Sequence, residues 1–323
     1  MRRPIVIAHR GASGERPEHT RAAYLRAIDQ GADFIEPDLV MTRDGVLVVR
    51  HENEVSETTD IADRPEFAAR RASRTIDGGT VSGWFTEDFT LAELKTLQAR
   101  ERLGALRPGS AAFDGREPVL TFAEVIEIAR DGGVGIYPEL KHPSHFRSLG
   151  LDPEAALVEA LEAAGWTTAD APVFVQCFEV GTLQRLRARL RVRLVQLMAA
   201  AGGAADRPDL AYAAMAQPEG LKAVAAWADG IGVDKAMILP RDASGRSLAP
   251  TRLIDDAHAA GLEVHAWTFR AENHFLPAEL RGGPDPASHG DLAAELRTFA
   301  ALGVDGVFCD FPGEAVRAFE EQA

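Results

Sequence analysis

Glu36 and Asp38 stand two residues apart in a short run with strand character, residues 34–40. Side chains two positions apart on a strand point to the same face. Two like charges on a buried face repel each other and are costly to desolvate. A proton, a pair of basic side chains or a cation must neutralise them. Glu139, in Gly135-Ile136-Tyr137-Pro138-Glu139-Leu140-Lys141, adds a third carboxylate near the end of another strand. Three carboxylates suit one hard divalent cation, Ca²⁺ or Mg²⁺. No Cys/His cluster has the spacing of a structural zinc site. Lys141 shares a face with Glu139 and is either its ion-pair partner or a cationic contact for a phosphate. His9 and His51 both fall at strand ends. Their ordinary pKa suits a general base and a general acid in one reaction. Arg10 has the fork geometry that grips a phosphate, although a carboxylate such as Glu18 or Glu36 is an equally natural partner. Gly11 and Gly14 would let this loop pass close to a ligand. Trp267 and Gln176 are open to two readings, packing or a wall of the substrate site.

These residues need a frame that brings them together. Short apolar runs at 5–8, 34–40, 46–51, 135–140, 173–177, 193–197, 230–233, 262–268 and 306–309 read as strands. Amphipathic segments with helix signals lie between most of them. Thr20 opens one that Gly31 closes, Thr121 with Glu124 forms a capping box, and Asp152-Pro153 starts a helix ended by Gly165. Pro218 and Pro250 sit at first-turn positions of two more. Alternating strands and helices in about eight units favour a closed α/β barrel of the TIM type. The strands at 34–40 and 46–51 are joined only through Asp44-Gly45, a hairpin signal, so one helix of the barrel is missing there. Such a hairpin would bring His51 opposite Asp38. Residues 52–117 are polar and hold one clear helix start, Thr90 with Glu93. They read as a small lid inserted into a single domain spanning residues 1–323.

Hydrophobic residues make up 46% of the 323 positions, enough for a large core, and 26% are charged. A net charge of −14 argues against a nucleic-acid partner and against general attraction to anionic membranes. Cys177 and Cys309 are expected to be buried thiols rather than a disulfide. No signal peptide and no membrane-spanning run is visible, which gives a cytoplasmic expectation with no stable membrane association. Oligomeric state is not legible.

His9-Arg10-Gly11, Pro17-Glu18-His19-Thr20, Glu36-Pro37-Asp38, Thr42-Arg43-Asp44-Gly45, Val48-Val49-Arg50-His51, Pro138-Glu139-Leu140-Lys141, Trp267-Thr268 and Asp310-Phe311-Pro312 form an ordered series. The series resembles the motifs of the glycerophosphodiester phosphodiesterases. His19, where many members carry Asn, is similar to the branch typified by the bacterial periplasmic enzyme. The resemblance implies a phospholipase-C-like barrel and a small glycerophosphodiester substrate, split to sn-glycerol 3-phosphate and an alcohol. It implies a divalent cation at Glu36, Asp38 and Glu139, and catalysis by His9 and His51. It further implies phosphate contacts from Arg10 and Lys141, with Glu18, Gln176 and Trp267 completing the substrate site. Two alternatives share the fold: a barrel that cleaves lysophospholipids at a membrane, with Trp84, Phe85 and Phe89 as an apolar rim, and a barrel that binds without catalysis.

Overall fold

A strand sends alternate side chains to opposite faces, and this alternation lays out the molecule. The computed structural model describes residues 3–320. Its strands are β1 (Ile5–His9), β2 (Phe34–Glu36), β3 (Asp38–Met41), β4 (Leu47–Val49), β5 (Ala72–Ile76), β6 (Gly79–Gly83), β7 (Gly135–Ile136), β8 (Glu139–Leu140), β9 (Phe174–Cys177), β10 (Arg193–Met198), β11 (Gly230–Asp234), β12 (Glu263–Phe269) and β13 (Gly306–Cys309). Pro37 and Pro138 carry no N–H for a ladder and break two of the expected strands in the middle. β2 with β3, and β7 with β8, therefore act as single staves. Parallel pairing runs from β1 through β2/β3, β7/β8 and β9 to β13, then from β13 back to β1. The sheet closes on itself as a TIM-type α/β barrel.

Inward-facing Ile7, Phe34, Tyr137, Phe174, Val195 and Phe308 fill the barrel. Tyr137 stacks on Phe174 at 4.8 Å and meets Phe308 edge-on at 5.0 Å. Burying each such ring contributes about 1.5–3 kcal/mol. The neighbouring positions Val6, Ala8, Ile35, Val175, Val264 and Val307 face outward into the helical layer. Helix ends follow local chemistry. Thr20 caps Arg21–Asp29, the Thr121–Glu124 box opens Phe122–Gly132, and Gly165 at φ 71° closes Pro153–Ala164. Pro218 stands in the first turn of Pro218–Val224. Pro250 does not start a helix. The helix begins at Leu253, because Thr251 is tied back to Met237 and Ile238, which holds residues 250–251 as a connector.

Only a turn separates β3 from the antiparallel β4; Asp44 accepts from Thr42 there, and no helix intervenes. The register pairs Leu39 with Val49, so Arg50 rather than the expected His51 lies opposite Asp38, and His51 falls one residue further on. Residues 52–117 carry the antiparallel hairpin β5–β6, turning at Asp77-Gly78, and two one-turn helices, Leu91–Leu94 and Pro108–Ala111. The aromatic residues read as a possible lipid-facing rim are buried instead, with Trp84 9% exposed and Phe85 and Phe89 at 0%. Trp84 and Phe89 join Phe67 in the large core cluster that the insertion shares with the barrel, where Phe67 meets Phe89 edge-on at 5.2 Å. Among the described residues, no helix is long and apolar enough to cross a membrane, and Cys177 and Cys309 are buried free thiols.

Candidate active site

Two residues beyond the inner core layer, the same strand faces change chemistry. Ile7 is followed by His9, Phe34 by Glu36, Tyr137 by Glu139, Phe174 by Gln176 and Phe308 by Asp310. The period of two thus places five polar side chains at the barrel mouth, above a dry aromatic plug. A cavity of about 570 Å³ opens there. His9, Arg10, Glu36, His51, Glu139, Lys141, Gln176 and Trp267 line it. Asp38 and Glu18 are buried behind this wall, Asp38 against Arg10, His19 and Lys141, and Glu18 against Arg10.

Glu36, Asp38 and Glu139 each bring a carboxylate oxygen within 4.8 Å of the others, and all three are buried. Burial and the charge on Asp38 push the Glu36 carboxyl well above the usual range. Burial, and again Asp38, carry Glu139 to about 7 in spite of Lys141. Burial would raise Asp38 too, but Lys141, His51 and Arg10 hold it well below the ordinary value. The cluster is therefore short of positive charge. Arg10 Nε lies 3.2 Å from Asp38, and Lys141 Nζ lies 2.8 Å from Glu139 and 3.5 Å from Asp38. Gln176 donates to Glu36 at 3.1 Å while its own Oε1 is buried without a partner. Hard oxygen donors, excess negative charge and an unused carbonyl oxygen together fit a divalent cation. Both partner readings of the basic residues hold at once: Lys141 pairs with Glu139, and Arg10 pairs with Glu18 at 3.0 Å while its backbone N–H donates to Glu36 at 2.8 Å.

Each histidine at the mouth has a carboxylate against its Nδ1. His9 Nδ1 lies 2.6 Å from Asp310 Oδ1. His51 Nδ1 lies 2.6 Å from Glu52 Oε1, poorly aligned for a hydrogen bond. The nitrogen left to each ring for chemistry is Nε2. Burial, then the charge of Arg10, lowers His9 to about 4. His51 falls to about 4 for the same reasons, with Lys141 adding to the effect. Both rings are neutral in the ligand-free protein at neutral pH.

Asp310, Glu52, His19, Arg107 and Arg270 received no role from sequence reasoning. Asp310 has the same strand-end signal as His9 and Glu36, and its position on β13 beside β1 follows from barrel closure. His19, fully buried, joins Asp38 at 2.9 Å and Tyr24 at 2.8 Å. Glu52 also meets His142 at 3.1 Å, and His142 meets Asp77 at the β5–β6 tip at 2.6 Å. Arg107 and Arg270 both donate to Asp310 Oδ2, at 2.6 and 2.9 Å. The two loop glycines serve packing rather than a ligand. A Cβ on Gly11 would sit 2.6 Å from the Ala23 backbone, and one on Gly14 would enter the Phe311 ring.

The model of the glycerophosphoryl diester phosphodiesterase family matches residues 9–314. A glycerophosphodiester phosphodiesterase of Arabidopsis thaliana is 36% identical over 96% of this chain and 84% of its own length. That of Haemophilus influenzae is 28% identical over 97% and 88%. Among solved structures, an Oleispira antarctica phosphodiesterase in complex with the product sn-glycerol-3-phosphate superposes with a TM-score of 0.64 at 25% identity, covering 98% of this chain and 97% of that one. The glycerophosphodiester phosphodiesterase of Agrobacterium tumefaciens gives 0.61 at 21% identity, over 97% and 99%.

Proposed function

The chain belongs to the glycerophosphoryl diester phosphodiesterase family, and on that premise we propose that it hydrolyses glycerophosphodiesters to sn-glycerol 3-phosphate and an alcohol. The observation that carries this reading is convergence on one cavity. A carboxylate cluster short of positive charge, two basic side chains and two carboxylate-backed histidines meet there.

Glu36, Asp38 and Glu139 would hold one divalent cation, Ca²⁺ or Mg²⁺, which when bound supplies Lewis-acid stabilisation of negative charge on the phosphoryl oxygens. Arg10 and Lys141, relieved of part of their task of neutralising the carboxylates, bind the non-bridging oxygens. Asp310 stays ionised, so neutral His9 carries its proton on Nδ1 and offers the Nε2 lone pair to the cavity. His51, with Glu52 behind it, offers Nε2 in the same way. One ring removes a proton from the nucleophile and the other protonates the departing alcohol. The bound phosphodiester anion beside both rings raises their pKa from the ligand-free values, which lets one of them carry the second proton. The nucleophile is the glycerol 2-hydroxyl, through a cyclic phosphate, or water; the same residues serve both. Trp267 and Phe178, edge-on at 6.0 Å, wall the alcohol side. Glu18 braces Arg10 from behind. The net charge of −14 offers nothing to a nucleic acid. Among the described residues, the exposed large apolar side chains are Leu25, Val81, Leu149 and Leu248, far apart in sequence, which favours a small substrate over a lysophospholipid.

A coupled assay for glycerol 3-phosphate release tests the proposal. The substrates are glycerophosphocholine, glycerophosphoethanolamine and glycerophosphoglycerol, each with chelator and with Ca²⁺ or Mg²⁺ restored. Release that is lost in chelator and recovered with one of the metals is the expected result. No release from any substrate overturns the reading.

A further inference from the structure

The 52–117 insertion places one guanidinium deep in the barrel mouth. Arg107 is 6% exposed, and its partners lie far away in sequence. Nη1 donates to Ser13 O at 3.0 Å, Nε to Glu272 Oε1 at 2.5 Å and Nη2 to Asp310 Oδ2 at 2.6 Å. Those residues follow β1, β12 and β13, so one side chain ties three loops of the mouth together. At Asp310 the consequence is specific. Oδ2 is held by Arg107 and Arg270, which fixes the carboxylate so that Oδ1 meets His9 Nδ1 at 2.6 Å. Arg270 also makes one contact to Asp310, but its side chain is 23% exposed on the cavity wall, whereas that of Arg107 is 4% exposed and anchored to two further loops.

We propose that Arg107 is a positioning residue for His9, acting through Asp310, so that the insertion sets the orientation of one histidine of the reaction. The inference rests on the phosphodiesterase reading above and adds a residue that does not touch the substrate. Two of its hydrogen bonds fix the guanidinium and the third restricts the Asp310 carboxylate and with it the His9 ring, and a small misplacement of a reacting group is expensive in rate.

The test is steady-state kinetics with the metal-loaded protein. Arg107→Met should lower kcat about tenfold or more while KM moves less than about threefold. A double-mutant cycle with Asp310→Asn separates positioning from anchoring. If Arg107 works through Asp310, its removal costs little further kcat once Asp310 is Asn. Arg100→Met breaks the exposed ion pair of the insertion with Asp63 and should leave kcat unchanged. If the methionine variant does not fold, Arg107→Lys carries the test alone. A single ammonium cannot hold Ser13, Glu272 and Asp310 together, so kcat still falls. Wild-type kcat in the folded Arg107 variants, or additive losses in the cycle, overturns the proposal while leaving the phosphodiesterase reading intact. A wild-type protein that releases no glycerol 3-phosphate overturns that reading and this proposal with it.

Discussion

His9 and His51 differ from His19 and His142 in what is left free, and from the core residue His265, whose Nδ1 meets Tyr137, in reaching the cavity. His19 spends both ring nitrogens on Tyr24 and Asp38, and His142 spends both on Asp77 and Glu52. His9 bonds Asp310 through Nδ1 alone, His51 has only Glu52 close to its Nδ1, and both rings line the cavity. Replacing either by Ala should therefore cut kcat by about 10³-fold or more, as loss of a proton-transfer group does when a few orders of magnitude hang on it. The melting temperature should stay close to wild type, because neither ring belongs to the core clusters. Wild-type turnover in either variant would refute the assignment. The site was largely legible because its signal is local. An apolar residue followed two places later by His, Glu or Gln at a strand end needs no knowledge of the fold. Asp310 and Glu52 were not legible as partners, since their meaning depends on which histidine the closed barrel sets beside them. Arg107 was invisible, because a charged residue next to Pro108-Gly109 reads as exposed loop.

At the level of elements, the barrel staves and the Thr90–Glu93 helix start were readable, and the hairpin inside the insertion was not. Val- and Ile-rich runs announce buried parallel strands whatever surrounds them. Pro37 and Pro138 then cut two of these runs, a backbone effect that hydropathy does not register. The hairpin β5–β6 has an exposed, polar sequence, and what it does is decided at its tip. Asp77 there holds His142, and His142 holds Glu52, the residue behind His51. Burial alone would lower His142, but Asp77 and Glu52 raise it to about 9. A folded pKa above the unfolded value near 6.5 stabilises the protein fully below pH 6.5, and that contribution is lost as pH rises toward 9. Because solvent reaches Asp77 and Glu52, the contribution is on the order of 2 kcal/mol. Urea unfolding of wild type and His142→Asn should differ most at pH 6 and converge by about pH 9.5. Asn tolerates the left-handed backbone of this position, where φ is 47°. A stability gap that is the same at both pH values would break the link between the hairpin tip and this histidine.

For the whole molecule, the buried carboxylates of the barrel mouth bear on global stability. Three buried carboxylates within 4.8 Å of one another oppose folding unless protons, Arg10 and Lys141, or a cation offset them. A cation that binds only the folded barrel stabilises it by about 2.7 kcal/mol at a hundredfold excess over its Kd. For a domain of this size that corresponds to a rise of several degrees in melting temperature. Glu36→Gln should change two quantities in opposite directions. The chelated protein should melt higher than chelated wild type, because the cost of holding a buried carboxyl beside Asp38, whether ionised or protonated, is gone while the glutamine oxygen still accepts from the Arg10 N–H. The gain in melting temperature on adding Ca²⁺ or Mg²⁺ should shrink or vanish, because a hard ligand of the cradle is lost. Thermal melts of both proteins in chelator and across a titration of each metal make the comparison. A variant whose metal-dependent shift equals that of wild type would mean that Glu36 is not a ligand, and the charge of the mouth would then need a different explanation.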